Sequence, residues 1–438
     1  MPEAATRLPA PCASAADLLL RWPADEPLAA LVSGGGANAH NAWTILARPR
    51  ESIAIDGGAG DGEALATLRE AFARIPRPRG GRGAEDRGVR KPPFDGGWIS
   101  ALGYGLGAAF EPASRWRTRH EGHARAVLHW CEDAWCLDHS DGSLHRVGDP
   151  PALVGEPRER PWRIDAPVAD TSDAHYAALV ARTVEYIRAG DLFQANVARR
   201  FQSRLSGDPR SFAHAAISAN SSWFGAFLDL PGGGALVSMS PELFLRVRPD
   251  GEAATRPIKG TRPSSVCASE LERSEKDMAE LAMIVDLMRN DLGRVARIGS
   301  VRVAEARVLE THATVHHGVA DIRATLRDEI GWIDLLAATF PPGSVTGAPK
   351  VRAMQVIDEL EERERGFYCG AIGYFARSGH AALNVAIRTA LVGPAAATSE
   401  TPRDLWYHAG CGVVADSDPW AEVAETHAKT RALAQLAR

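Results

Sequence analysis

Lysine is nearly missing from this chain. Of 50 basic side chains only five are lysines, at positions 91, 259, 276, 350 and 429. Wherever a surface cation would do, arginine stands instead. A lysine that is kept must do something arginine cannot, which is to lose its proton inside a protein. Cysteine is sparse too. Six thiols scattered over 438 residues exclude a disulfide framework and suit a reducing compartment. Cys131 and Cys136 sit close together, but no second pair accompanies them, which argues against zinc. No apolar run is long enough to span a bilayer, and residues 1–14 lack the basic-then-apolar layout of a signal peptide. Positive charge is not in excess. A net charge of −5 and a pI near 6.3 give no reason to expect a nucleic-acid or membrane-surface partner. The remaining expectation is a cytoplasmic, globular enzyme.

Strand-like pieces come early, at 43–47 and 52–55, with helical periodicity over 61–74. Residues 74–91 carry seven Arg or Lys and two acidic residues among prolines and glycines, which reads as a basic patch or, more plainly, a solvated loop. Further strands are expected at 126–135 and 143–147, and the proline-rich stretch 149–173 reads as a linker. Beyond it Ser172 is placed to cap a helix that Gly190 ends. Next comes a strand with Gln194 and Asn196 on one face. A hairpin follows over 223–247, turning at 231–234 and carrying Glu242 in its second strand. The longest helical pattern, 269–297, puts Glu280 on an apolar stripe with Ile284 and Leu287. A carboxylate there must be paired, protonated or bound to a cation. Salt bridges to Lys276 or Arg289 and metal ligation are the open readings. Residues 340–350 form a glycine loop opening a helix, with Pro349 at its first position. Arg388 lies among apolar neighbours and calls for an anion. Cys411, between glycines and near His408, lacks a nucleophile elbow, so a small residue in a tight strand accounts for it.

Lys259, between Ile258 and Gly260, is the oddity on which the rest turns. At an ordinary pKa of about 10.4, the neutral amine costs about 4.6 kcal/mol at pH 7. Burial lowers that cost. A strand-end lysine pairing with a carboxylate is the plainer alternative.

Eight separated motifs make the chain resemble the chorismate-utilising enzymes, the group that includes anthranilate, aminodeoxychorismate, isochorismate and salicylate synthases. They are IRAGDLFQ (187–194), SPE (240–242), PIKGT (257–261), SEKDMAE with MIVDLMRNDL (274–292), VHH (315–317), GSVTGAPK (343–350), AIRT (386–389) and GCGVVADSDP (410–419). The resemblance implies an α+β fold of two antiparallel β-sheets packed together and flanked by helices. It also implies a catalytic core over 165–437, with the region 1–160 contributing to the same body. Water-activating members carry lysine where this chain has Gln194. Anthranilate synthases carry alanine where it has Lys259, and lysine there resembles the aminodeoxychorismate branch. Anthranilate synthesis and a non-catalytic chorismate-binding subunit are the alternatives. Two departures, Ser264 after Arg262-Pro263 and Ala320 after the VHH motif, touch no catalytic group.

From that resemblance follow the expected roles. Mg²⁺ would be held by Glu280 and Glu425, with Glu422 adjacent. Glu242 would be the general acid and Lys259 the nucleophile. Gln194, Thr261, His317, Thr346, Gly347, Ala348, Lys350, Arg388, Gly410, Cys411 and Gly412 would line the chorismate site. Ammonia would come from a separate glutamine amidotransferase subunit.

Overall fold

A computed structural model of the chain describes residues 6–7, 14–34, 42–78, 91–114, 121–220, 222–311, 315–394 and 401–437. The expected basic stretch at 74–91 lies outside them over 79–90. Every pairing among the described strands is antiparallel, and the strands form one continuous ladder. It runs from Gln194–Gly207 through Arg403–Val413, Thr389–Val392, Ala235–Ser240, Phe224–Asp229 and Ala29–Val32 to Trp43–Ile55. It continues through Ala126–Asp138, Gly97–Leu102, Ala371–Ala376, Ala381–Val385, Leu243–Val247 and Glu252–Arg256 to Val315–Thr325 and Arg302–Thr311.

Side-chain alternation shows how that ladder becomes two packed sheets. In the first half, Ala30 and Phe227 join an outer cluster with helix residues Leu18, Phe212 and Leu433. Their chain neighbours Ala29 and Leu228 face a shared interior instead. In the second half Ile99 and Tyr374 face that same interior. Trp98 and Phe375 point outward into a cluster with helix residues Leu68, Ile284, Leu335 and Ile357. A period of two on each strand thus yields helix, sheet, sheet, helix. The Trp43–Ile55 strand crosses between halves: Leu46 belongs to the first outer cluster and Ile55 to the second. The register slips between Arg48 and Glu51, at Pro49, where the amide is missing. The fold is the α+β pair of antiparallel sheets with flanking helices that the motifs imply.

Three local expectations are corrected. The hairpin strand expected through 247 is two strands, Ala235–Ser240 and Leu243–Val247, which pair with different partners. The break falls at Pro241-Glu242, and so lifts Glu242 out of the ladder. The long helix starts as Ala268–Glu272 and restarts as Glu275–Gly293, where the Ser274 side chain accepts from the Asp277 amide. The linker contains two short strands, Trp162–Ile164 and Val168–Ala169, both on the Gln194 strand. Among the described residues no helix is long and apolar enough to cross a membrane.

Candidate active site

Lys259 lies on the strand Ile258–Pro263, paired with Val315–Thr325. The ladder holds at Ile258 opposite Val319 and at Thr261 opposite His317, and shifts between them. Gly260, at φ 80°, absorbs the shift; a Cβ there would lie 2.6 Å from Leu271 Cδ1. The lysine is partly buried. Its amine makes no hydrogen bond or ion pair with any described residue. Burial pulls its pKa below the ordinary lysine value, while the Glu280 and Glu242 carboxylates act in the opposite sense. Next to it the Thr261 hydroxyl and His317 Nδ1 are 2.8 Å apart.

Glu242, only 4% exposed, sits where the Ala235–Ser240 strand ends. Its backbone amide bonds the Ser240 hydroxyl at 3.2 Å, and its carbonyl accepts from Val385. Burial pushes the carboxyl up to about 7 against the pull of the Ser344 hydroxyl and the Lys259 ammonium. Its Oε1 is buried without a hydrogen-bond partner among the described residues. A buried carboxyl near neutrality with one oxygen left over is placed to give up a proton.

Three carboxylates flank this pair. Glu280 projects from the Glu275–Gly293 helix, partly buried and without an ion pair among the described residues. Neither the expected Lys276 bridge nor one to Arg289 forms; Arg289 pairs with Asp286 at 2.7 Å. Burial holds the Glu280 carboxyl up, while Lys259 and Lys276 pull it down. Glu422 and Glu425 come from the last helix, Pro419–Ala434, capped by Asp418. Glu425 is 50% exposed at its side chain and pairs with Lys429 Nζ at 2.7 Å. Burial raises its pKa, but the Lys429 ammonium outweighs that and leaves it below the ordinary value. Buried Glu422 accepts from the Ser417 hydroxyl at 2.7 Å. Cys411 Sγ, Glu422 and Glu425 offer ligand atoms within 4.8 Å of one another. Burial pushes the thiol up, however, and it bonds the Glu422 carbonyl, so it is a poor ligand. An unpaired carboxylate and a second one open to solvent suit a hard, oxygen-seeking cation.

The opposite wall is built of backbone. Gly410 and Gly412 face Ala198 and Asn196 across the ladder. Ala198 and Asn196 send their amides the other way, to Glu361 Oε1 and the Thr346 carbonyl. In an antiparallel ladder both members of such a pair point outward. The Gly410 and Gly412 amides therefore face the open edge of their strand, beyond the last rung at Tyr407. The Gly410 carbonyl accepts from Lys429 Nζ at 2.7 Å. Arg388 stands beside the end of that rung with φ 50°, and its guanidinium has no partner among the described residues. Buried Gln194 has an Oε1 with no hydrogen-bond partner among the described residues.

Other expected residues are turned to different work. Lys350 holds Asp291 with its amine at 2.5 Å and the Thr339 carbonyl at 2.8 Å. It ties the start of its own helix to the helices Glu275–Gly293 and Trp332–Thr339. The Thr346 hydroxyl bonds the Pro342 and Gly343 carbonyls within its own loop. Gly347 and Ala348 pair with Ala195 and Gln194, and a Cβ at Gly347 would lie 2.1 Å from the Gln194 carbonyl. Pro349 caps the following helix, which starts at Lys350. His408 stacks on Tyr368 and burial lowers its pKa to about 3, so it serves no thiol at Cys411. Two site residues went unread in the sequence. Lys429 could have been found: it is one of five lysines and one helical turn from Glu425. Ser344 carries no such signal.

Comparison with known proteins supplies the family. Over 442 residues the chain is 36% identical to aminodeoxychorismate synthase component 1 of Klebsiella aerogenes, covering 94% of each. It is also 36% identical to anthranilate synthase component 1 of Thermus thermophilus, over 84% of this chain and 81% of that one. The crystal structure of anthranilate synthase component I from Streptococcus pneumoniae superposes with a TM-score of 0.76 at 26% identity, covering 98% of this chain and all of that one. The family model for chorismate binding enzymes matches residues 33–435, and the chain belongs to that family.

Proposed function

We propose that the chain is component I of an aminodeoxychorismate synthase. It would convert chorismate and ammonia to 4-amino-4-deoxychorismate, on the route to 4-aminobenzoate and folate, in the cytoplasm. The observation that carries this reading is Lys259: a partly buried amine, its pKa lowered by burial, with no hydrogen bond or ion pair among the described residues, beside a Glu242 carboxyl near neutrality. Arg388 and the outward amides of Gly410 and Gly412 would take a substrate carboxylate, and Thr261 and His317 would border the ring.

Neutral Lys259 would attack the ring with an allylic shift. The N–C bond forms as the ring C–O bond breaks, and Glu242 gives its proton to the departing hydroxyl, which leaves as water. The attached nitrogen keeps both protons as a secondary ammonium, which can leave. Ammonia bonds the carbon that carried the hydroxyl, the double bonds shift back, Lys259 leaves as the neutral amine, and the new ammonium returns a proton to the Glu242 carboxylate. Glu280 and Glu425, with Glu422 beside them, would hold Mg²⁺. When bound, the ion would neutralise the ring carboxylate. Lys429 would have to yield its hold on Glu425. A separate glutaminase subunit would supply ammonia, with ammonium salts substituting in vitro.

The test is incubation with chorismate, Mg²⁺ and ammonium, followed by mass analysis. An amino product that keeps the enolpyruvyl group is expected. Anthranilate with released pyruvate would overturn the proposal in favour of anthranilate synthesis. Binding without turnover would favour a non-catalytic subunit.

A further inference from the structure

Glu361 and Arg365 form an ion pair in the protein interior, 6% and 4% exposed, after the Lys350–Leu360 helix. Arg365 Nε donates to Glu361 Oε2 at 2.8 Å and its Nη2 to Oε1 at 2.5 Å. An ion pair so buried recovers its desolvation cost only if its remaining donors and acceptors are used. Here they are used on main chain. Arg365 donates to the Asn196 carbonyl at 2.5 Å and the Val345 carbonyl at 3.3 Å. Glu361 Oε1 accepts the Ala198 amide at 2.8 Å. The guanidinium lies 4.5 Å from the Tyr104 ring centroid, which adds a fourth fixed neighbour.

Each of those main-chain atoms adjoins the site. Asn196 and Ala198 are two and four residues along the strand from Gln194, and directly oppose Gly412 and Gly410. Val345 lies between Ser344, which leans on Glu242, and Thr346, whose carbonyl accepts the Asn196 amide at 2.7 Å. One fork therefore braces, from behind, the spacing between the strand of Gln194 and the loop of Ser344, which are also laddered to each other at Gly347 and Ala348. Arginine suits the task because its rigid fork serves several acceptors in a plane, which an ammonium cannot.

We infer that Arg365 and Glu361 are positioning residues for the chorismate site, holding its strand wall and its loop wall at the separation the substrate needs. This rests on the reading of the cleft as the chorismate site, though not on which amine product is made.

The full chain with Arg365→Lys or Arg365→Met tests it by chorismate consumption, pH profile and chorismate affinity by calorimetry. In the Met variant KM and Kd for chorismate should rise about tenfold or more, with kcat within about threefold, since the pair braces the walls that grip the substrate and bonds neither Lys259 nor Glu242. The limb of the pH profile near 7 should move to higher pH as Ser344 slackens from Glu242. The Lys variant should recover part of the affinity. Should the Met variant not fold, the Lys variant carries the same readouts. A folded variant with a lowered Tm but unchanged KM, Kd and pH limb would make the pair structural only and overturn the inference. Wild-type chain that fails to bind chorismate would overturn both readings. Anthranilate as product would overturn the proposed function and leave this inference standing.

Discussion

A Cβ at Gly412 would lie 3.3 Å from the Lys259 amine and 2.1 Å from the Gln194 amide nitrogen. The missing side chain at 412 is thus the space in which two site groups converge. Gly412 needs no special backbone angle for this; its value is room.

Gly412→Ala should therefore fold and fail. The Gln194 amide must move by about an ångström, and overpacking costs about 1–3 kcal/mol. Turnover should fall on the order of 10²-fold because Lys259 is displaced with it. Steady-state rates and a melting curve decide between outcomes: a fall in Tm with turnover intact would show that the space is not part of the site.

Lys259→Ala and Lys259→Arg should both lose turnover by about 10³-fold or more, the second because arginine keeps its proton. Intact mass after an acid quench, with chorismate but no ammonium, should show an adduct on the wild type and none on either variant. An active arginine variant would end the nucleophile assignment.

Lysine scarcity made Lys259 legible, and an apolar stripe made Glu280 so, because both are departures from a pattern that local sequence sets. The break at Pro241-Glu242 was not legible as a break. Both halves read as strand, and only the different partners of Ala235–Ser240 and Leu243–Val247 separate them. Lys350 sits in a family motif, yet its partner Asp291 is 59 residues away, beyond any local pattern. Glu361 is more hidden still: its main-chain partner Ala198 is 163 residues distant, and a backbone amide leaves no mark in composition. Charged residues that broke a local pattern showed themselves, while Ser344 and the residues that hold distant backbone did not.

Lys350→Met should destabilise without touching metal dependence. It strands the buried Asp291 carboxylate, and breaking such a pair costs about 3–5 kcal/mol. A urea midpoint far below wild type, with an unchanged Mg²⁺ titration in the folded fraction, is expected. Wild-type stability would remove Lys350 from its joining role.

Glu280→Gln should abolish activity and, in the absence of substrate, weaken Mg²⁺ binding measured by calorimetry by about tenfold or more. The helix should persist, since Glu280 has no ion pair to lose among the described residues. Unchanged Mg²⁺ affinity would reject the ligand assignment.

Glu242→Gln tests the acid through both stability and rate. A carboxyl raised from 4.5 to about 7 keeps a proton in the folded chain that the unfolded chain has already given up. Its contribution to stability is then whole below pH 4.5 and is lost as pH rises through 7. The difference corresponds to about 3 kcal/mol by pH 8. Glutamine has no such proton, so the variant should gain on the wild type by about 2.5 kcal/mol between pH 5 and pH 8 in urea unfolding, the first part being lost already by pH 5. Its turnover should fall by about 10²–10⁴-fold, the usual worth of a positioned acid. In the wild type the rate needs Glu242 protonated and Lys259 neutral together, so it should be greatest between pH 7 and the lowered lysine value. Equal stability differences at the two pH values would show that the Glu242 carboxyl is not held near neutrality, and the proton would then need another source.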